Sequence, residues 1–319
     1  MQAVRFHRYG PPAVLACEEV PPPPVSPNEI RVAVHAAGVN PVDWRYRRGE
    51  LKWMDWASFP RTPGADIAGT VHAVGDEVTA FHVGDRVVAM LDILSGAGYA
   101  EQVCVPADQA AHAPDSISMV EAAGLPLVTL TAIQALRDKA QLAAGEHVLI
   151  NGASGGVGTM AVQWAAAQGA TVTGVCSPRN AALVQSLGAD TVIDYTSEDP
   201  LAASDAFDVV FDIVGNQSLA EAKAALRRNG RFVTTAITPR RFWEAFASRF
   251  MPGPTGYVVV VQPRGSDLAS VMQMVDAGTL TPVVDRTYPL CDAKAAHQYS
   301  ETKRAQGKIV LITEQEDVP

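Results

Sequence analysis

The chain reads as a two-domain α/β protein, a compact antiparallel β-barrel joined to a parallel, doubly wound sheet. Three observations predict this. Residues 1–121 are short Val-rich strands between Pro and Gly, strand-like runs then alternate with helix-like segments from about residue 122, and the tail turns extended again. Alternation of strands with helices builds a parallel sheet, whereas strands divided only by turns build a barrel or sandwich.

In the first part, EIRVAVHAAGV (29–39), DIAGTVHAVG (66–75) and DRVVAMLDI (85–93) alternate or run apolar. The prolines at 21–24 mark an extended connector, because Pro cannot join a central strand. VGDEV and VGDRV place Gly75-Asp76 and Gly84-Asp85 in hairpin-type turns. In the second part, HVLIN (147–151), TVTGVC (171–176), TVIDY (191–195), FDVVFDIVG (207–215) and GRFVTTA (230–236) are near-continuous apolar runs. Such runs suit strands covered by helices on both faces. Helices are predicted between them over 157–168, 179–188 and 218–228. A sixth strand, YVVVVQP (257–263), follows a segment rich in Phe, Trp and Arg (240–251), and a helix covers 267–278. TPVVDRTYPL and GKIVLIT close the chain as extended segments, so the domains are predicted as 1–122 with 280–319, and 123–279.

Composition narrows the function classes. With 319 residues, 48% hydrophobic and 18% charged, the chain has the makeup of a globular enzyme. Its net charge of −9 argues against a general nucleic-acid surface, which needs clustered Lys and Arg. The apolar run AAGLPLVTLTAIQAL (122–136) contains Pro126 and is too short to span a bilayer. MQAVRFHRYG lacks the apolar core of a secretory signal, and a cytoplasmic location is expected. Cys17, Cys104, Cys176 and Cys291 are far apart with no CxxC pair, so reduced thiols and no structural zinc lobe are expected.

The chemistry centres on NGASGGVG (151–158), between the strand HVLIN and a helix. Gly152, Gly155, Gly156 and Gly158 permit a tight turn, and with Ser154 and Val157 they bring backbone N–H groups to a helix N-terminus suited to a pyrophosphate. No Lys-Ser/Thr follows, which excludes a P-loop. The same residues satisfy G-x-S-x-G, so an α/β-hydrolase using Ser154 with Asp212 and His297 is a rival reading. Against it, Gly158 is superfluous for a nucleophile elbow, and no earlier strand and loop would build an oxyanion hole. The next strand ends in Cys176-Ser177-Pro178-Arg179-Asn180, without the acid that binds a ribose 2′-hydroxyl. Ser177 and Arg179 suit a 2′-phosphate instead, which favours NADPH over NADH.

Several segments together resemble one family: GVNPVDWRYRRG (38–49), TPGADIAGTVHAVGDEVTAFHVGDRV (62–87), AAGLPLVTLTAIQAL, NGASGGVG, SLGADTVIDY (186–195) and GKIVL (307–311). Their order is similar to that of the zinc-independent medium-chain dehydrogenase/reductases, in the quinone reductase (zeta-crystallin-like) branch. The resemblance implies a GroES-like barrel domain, a Rossmann domain and an NADPH site in the cleft between them. Asn40 and Ala65-Asp66 stand where the zinc-dependent relatives carry Cys and His-Glu, so no metal is expected.

The resemblance also implies that Asn40 lies at the site and donates an amide N–H to a carbonyl or cofactor. It places Thr131 near the nicotinamide, Tyr195 near the adenosine end and Lys308 toward the cofactor phosphates. Thr235 and Ala236 end the fifth strand at the edge that faces a dinucleotide. The chain departs from the family at Arg45 and Leu51, where tyrosines often stand; Tyr46, one position away, or solvent would then supply the proton. Trp53 and Trp56 form either an aromatic lid or a packed pair.

The expected activity is hydride transfer from NADPH to a quinone or α,β-unsaturated carbonyl, with an NADPH-binding protein of little catalysis as the alternative. The exposed YVVVVQP edge predicts a homodimer with joined sheets.

Overall fold

The computed structural model describes residues 1–54 and 58–313. Trp56 lies outside the described residues. The fold divides into two units, Met1–Leu127 with Gln262–Pro319, and Val128–Val261.

The first unit opens with β1 (Gln2–Arg5) paired antiparallel to β2 (Ala16–Glu19). The long β3 (Glu29–Val39) follows, leading into α1 (Pro41–Arg47), then β4 (Asp66–Val74), β5 (Arg86–Met90), β6 (Gln102–Pro106) and β7 (Ala110–His112). Two helices, α2 (Met119–Ala123) and α3 (Pro126–Ile133), carry the chain to the unit boundary. Strand β3 alternates half-buried and buried residues from Glu29 and then buries every residue from Ala36 to Val39. That change matches its partners: β3 lies antiparallel to β4 along its length, to β6 at its start, and to a C-terminal strand at its end. A barrel core of Val32, Val34, Ile67, Val87, Val105 and Leu311 fills the inside.

The second unit runs β8 (His147–Asn151), α4 (Gly156–Ala167), β9 (Thr171–Cys176), α5 (Ala181–Ser186), β10 (Thr191–Asp194), β11 (Phe207–Asp212), α6 (Leu219–Ala222), β12 (Leu226–Thr234), α7 (Pro239–Ser248) and β13 (Thr255–Val258). The six strands are all parallel in the order β10-β9-β8-β11-β12-β13. Val148, Leu149 and Ile150 are fully buried, as the continuous apolar run required. The chain then returns to the first unit through α8 (Gly265–Asp276), β14 (Val284–Pro289), α9 (Ala293–Glu301) and β15 (Lys308–Ile312), with β15 antiparallel to β3.

The architecture is the expected barrel plus parallel sheet, with several local differences. The unit boundary falls at residue 261 and not at 279, because α8 buries Leu268, Val271 and Met272 and packs on β7 of the barrel. The front boundary falls at 127 and not at 122. The sixth strand covers Thr255–Val258, and Val259 N still donates to Thr234 O just beyond it. The helix expected over 218–228 stops after Ala222, since β12 already begins at Leu226. Residues 239–248, read only as rich in Phe, Trp and Arg, form α7. The cysteine expectation is corrected for one pair: Cys17 and Cys291 are disulfide-bonded, with Cα atoms 5.2 Å apart across 274 residues of sequence. Distance along the chain set no limit on distance in space; Cys104 and Cys176 remain free thiols.

Candidate active site

The glycine-rich turn is built by local backbone demands. Gly152, the first residue after β8, has φ +91°, in the left-handed region that a side chain resists. A Cβ on Gly158 would stand 2.1 Å from Gly152 O and 2.7 Å from the Ala153 carbonyl carbon, so helix and turn pack backbone to backbone. At Gly155 a Cβ would meet only Gly152 O at 3.6 Å, which leaves the outer side of the turn open for a ligand. Gly156, Val157 and Gly158 form the first turn of the twelve-residue α4. Their amides point toward the helix start, where an anion is favoured.

Register places the other predicted contacts of this unit on the same edge. Asn151 pairs with Val175 and Asp212, and Asp212 with Thr234. Gly152, Cys176, Ile213 and Thr235 therefore occupy one row at the carboxyl ends of the strands, followed by Ser177 and Ala236. Asp194 pairs with Cys176, so Tyr195 follows beside Ser177 and keeps 59% of its surface exposed. Arg179 lies exposed on the short turn after Ser177. Thr235 Oγ1 donates to Ile213 O at 2.9 Å, and Ala236 N donates to Thr234 Oγ1 at 3.1 Å. Thr131 lies outside this row, buried on α3.

Three residues hold this edge together that sequence reasoning did not assign to it. Asn180 Nδ2 donates to Ser154 Oγ at 2.8 Å and ties the glycine turn to the Ser177–Arg179 turn. Asn151 Nδ2 donates to Asp212 Oδ1 at 2.9 Å and to Asn216 Oδ1 at 2.8 Å. Asp212 also accepts from Gly215 N and Gln217 N, and burial raises its pKa against those hydrogen bonds. Polar residues at the last position of an apolar strand, Asn151 and Asp212 alike, were the available signal.

In the first unit, Asn40 caps α1 and is fully buried. Its Oδ1 accepts from Lys308 Nζ at 2.6 Å, and its Nδ2 donates to Asp66 Oδ2 at 2.8 Å. Lys308 Nζ also donates to Asp66 Oδ2 at 3.0 Å and to Val39 O at 3.2 Å, using all three of its N–H groups inside this unit. Asp66 Oδ1 accepts from Leu127 N at 2.7 Å. Two predicted site residues, Asn40 and Lys308, thus meet around the buried carboxylate of Asp66.

A second buried chain supports Asn40 from behind. Asp43 Oδ2 accepts from Asn40 N at 2.7 Å and from Tyr99 OH at 3.0 Å, and Tyr99 OH lies 3.2 Å from His297 Nε2. Tyr99 has one proton and gives it to Asp43, so Nε2 is the protonated nitrogen of His297. Burial pushes Asp43 up to about 7, and burial with the nearby Arg47 holds His297 down to about 3. Burial beside Asp43 raises the Tyr99 phenol as well. Arg47 is itself buried and pairs with Glu301.

Tyr46 is placed differently from an open-site acid. It is 2% exposed, edge-on to Phe6 at 5.7 Å and to Tyr9 at 6.4 Å between ring centroids, with Leu51 in the same cluster. Arg45 pairs with Glu50, and Trp53 is half exposed. Each residue of the hydrolase grouping has its own partners: Ser154 is held by Asn180, Asp212 by Asn151 and backbone N–H groups, and His297 by Tyr99.

Comparison with known proteins agrees with this architecture. The family model described as "Alcohol dehydrogenase GroES-like domain" matches residues 26–115, and the one described as "Zinc-binding dehydrogenase" matches residues 187–311. The chain is 33% identical over 322 residues to the chloroplast envelope quinone oxidoreductase homolog of Arabidopsis thaliana, covering 98% of both. It is 33% identical over 324 residues to an Arabidopsis thaliana NADPH-dependent alkenal/one oxidoreductase, covering 98% of this chain and 79% of that one. The Escherichia coli quinone oxidoreductase solved in complex with NADPH superposes with TM-score 0.85 at 29% identity, covering 98% of this chain and 100% of the other. Barrel, parallel sheet, glycine turn and full-length similarity together place the chain in the medium-chain dehydrogenase/reductase family, within its quinone oxidoreductase branch.

Proposed function

We propose that this protein is an NADPH-dependent reductase that delivers hydride to a quinone or an α,β-unsaturated carbonyl. The observation that carries the reading is the buried Lys308–Asn40–Asp66 cluster, which offers a polarised amide where an acceptor oxygen would gain negative charge. The relatives named quinone oxidoreductase and alkenal/one oxidoreductase support the same acceptor class. NADPH, when bound, supplies the hydride. The amides at the start of α4 hold its pyrophosphate, and Ser154, with Oγ accepting from Asn180, keeps its own proton for a phosphate oxygen. Arg179 and Ser177 recognise the 2′-phosphate, Tyr195 flanks the adenosine, Thr235 and Ala236 line the edge, and Thr131 serves the nicotinamide.

Lys308 acts through Asn40. Its ammonium donates to Oδ1 and draws electron density from the amide, which makes the remaining Nδ2–H a stronger donor to an oxyanion. Asp66 offsets the buried cation and fixes the amide plane through the second Nδ2–H. Zinc, which the second family description implies, does not fit here. The donors around Asn40 are an amide, an ammonium and one carboxylate already accepting from Lys308, Asn40 and Leu127, not the imidazole or thiolate set that zinc takes. The reaction is therefore proposed as metal-free. With Tyr46 packed among Phe6, Tyr9 and Leu51, solvent provides the proton that completes reduction.

The enzyme is further proposed to work in the cytoplasm as a homodimer. Strand β13 forms the sheet edge, with β12 as its strand partner among the described residues; Gly256 N already donates to Ser248 Oγ, so a second copy would pair with the other outward backbone groups of this short strand. No described helix is long and apolar enough to cross a membrane.

The test is NADPH oxidation by the purified protein with benzoquinones, enones and saturated ketones. Turnover of the first two classes and not the third is expected. NADPH binding without turnover of any acceptor would return the chain to a nucleotide-binding role.

A further inference from the structure

Helix α7 is built inside out. At 100° per residue, Phe242, Trp243 and Phe246 share one face, and Phe250 continues it past the helix end. That face points to solvent: Trp243 is 67% exposed, Phe246 52% and Phe250 76%. Ring centroids of Trp243 and Phe246 lie 6.0 Å apart, and those of Phe246 and Phe250 lie 5.2 Å apart, so the rings form one continuous stripe.

The polar and small face is the one that packs inward. Arg241 donates to Gln217 O at 2.6 Å, Ser248 Oγ accepts from Gly256 N at 2.9 Å, and a small void of about 10 Å³ is lined by Arg241, Glu244 and Ala245 against Phe232 and Tyr257. The aromatic stripe is therefore not a core face awaiting its own sheet. It is flanked by a net positive charge. Residues 239–252 hold Arg240, Arg241 and Arg249 against Glu244, a local net charge of +2 (three minus one) in a chain of −9. Arg240 keeps 81% of its side chain exposed while pairing with Glu244, and Arg249 is exposed on the other flank.

We propose that α7 docks the protein on an anionic lipid surface, with Trp243, Phe246 and Phe250 inserted at the headgroup boundary and Arg240 and Arg249 on lipid phosphates. Aromatic residues flanked by arginines on a short amphipathic helix are the chemistry of interfacial binding, and a negatively charged chain reserves this positive patch for a negative partner. Docking here is peripheral. It would bring the enzyme to acceptors dissolved in the membrane without any spanning segment, but the docking itself does not depend on the acceptor.

Full-length protein is floated with vesicles of phosphatidylcholine alone, or of phosphatidylcholine with phosphatidylglycerol in a two-to-one ratio. Binding to the anionic vesicles only, weakened by high salt, is expected. The triple variant Trp243→Ser, Phe246→Ser, Phe250→Ser should lose about tenfold or more of that partition. Arg249→Gln and Arg240→Gln should each lose about fivefold. Unchanged thermal midpoint and NADPH affinity show that the variants are folded. Wild-type protein that ignores anionic vesicles, or a triple variant that binds as well as wild type, overturns the proposal. So does sedimentation in which the triple variant dissociates a dimer while wild type stays off the vesicles, since the stripe would then belong to a second copy.

Discussion

Lys308 Nζ donates to Asn40 Oδ1 at 2.6 Å, joining the last strand of the barrel to the cap of its first helix across 268 residues. Both groups also bind Asp66, so amide, ammonium and carboxylate form one neutral buried unit. Such a unit is worth little as net stability but much as geometry, because removing one member strands the others.

Lys308→Met should lower kcat about tenfold to hundredfold while NADPH affinity changes little. It should also destabilise the fold by about 3 kcal/mol or more, since Asp66 loses its cation. Adding Asp66→Asn should recover part of that stability but not the rate. Steady-state kinetics and denaturant melts of the two single variants and the double variant measure both. A double variant as active as wild type would remove the polarising role of Lys308.

Gly158→Ala should cost about 1–3 kcal/mol. The added carbon would meet Gly152 O and the Ala153 carbonyl, which are backbone and cannot swing away. NADPH affinity should fall with it, because the turn and α4 must separate at the amides proposed to hold the pyrophosphate. Thermal melts with and without NADPH separate the two effects; an unchanged ligand-induced shift would place the pyrophosphate elsewhere.

Arg179→Gln should weaken NADPH by about tenfold or more, the size of a lost charge-assisted pair, and leave NADH unchanged. Binding titrations with both nucleotides test this. Equal losses for the two would show that Arg179 does not read the 2′-phosphate.

Asp43 and His297 should impose opposite pH slopes on stability. Asp43 is raised to about 7 from 3.8, so the folded state holds a proton the unfolded state has lost, and stability falls as pH rises between those values. His297 is lowered to about 3 from 6.5, so the unfolded state holds the extra proton, and stability rises with pH across that range. Between about pH 4 and 6.5 the two slopes, each about 1.4 kcal/mol per pH unit, largely cancel. Asp43→Asn should therefore become more stable with rising pH through that window, and His297→Gln less stable. Urea melts at several pH values distinguish these signs, and parallel profiles for both variants would contradict them.

Much of the carboxyl edge of the parallel sheet was legible beforehand. Gly152–Gly158 declares itself because glycine is demanded by backbone approach within seven residues, and Ser177–Arg179 because it directly follows an apolar strand. The role of Asn180 was hidden, since an Asn at a helix start reads as a cap until its Nδ2 is seen on Ser154. Tyr46 shows the opposite limit. Its place near Asn40 in sequence suggested an acid, but its neighbours are Phe6 and Tyr9 from the chain start. Helix α7 was read only as a segment rich in Phe, Trp and Arg: its apolar residues do recur at helical spacing, but a sequence period does not say whether the stripe faces the core or solvent.

By itself the sequence determined the order of barrel and parallel sheet, the glycine turn after β8 and the acid-free turn after β9, all of which act over a few residues through backbone sterics and hydrophobic period. Only the tertiary structure decided that Lys308 stands behind Asn40, that Asp66 binds both, that α8 belongs to the barrel, that Cys17 meets Cys291 and that α7 turns its rings outward. Those outcomes depend on which surfaces the folded chain buries together, and contacts across hundreds of residues leave no local pattern from which to read them.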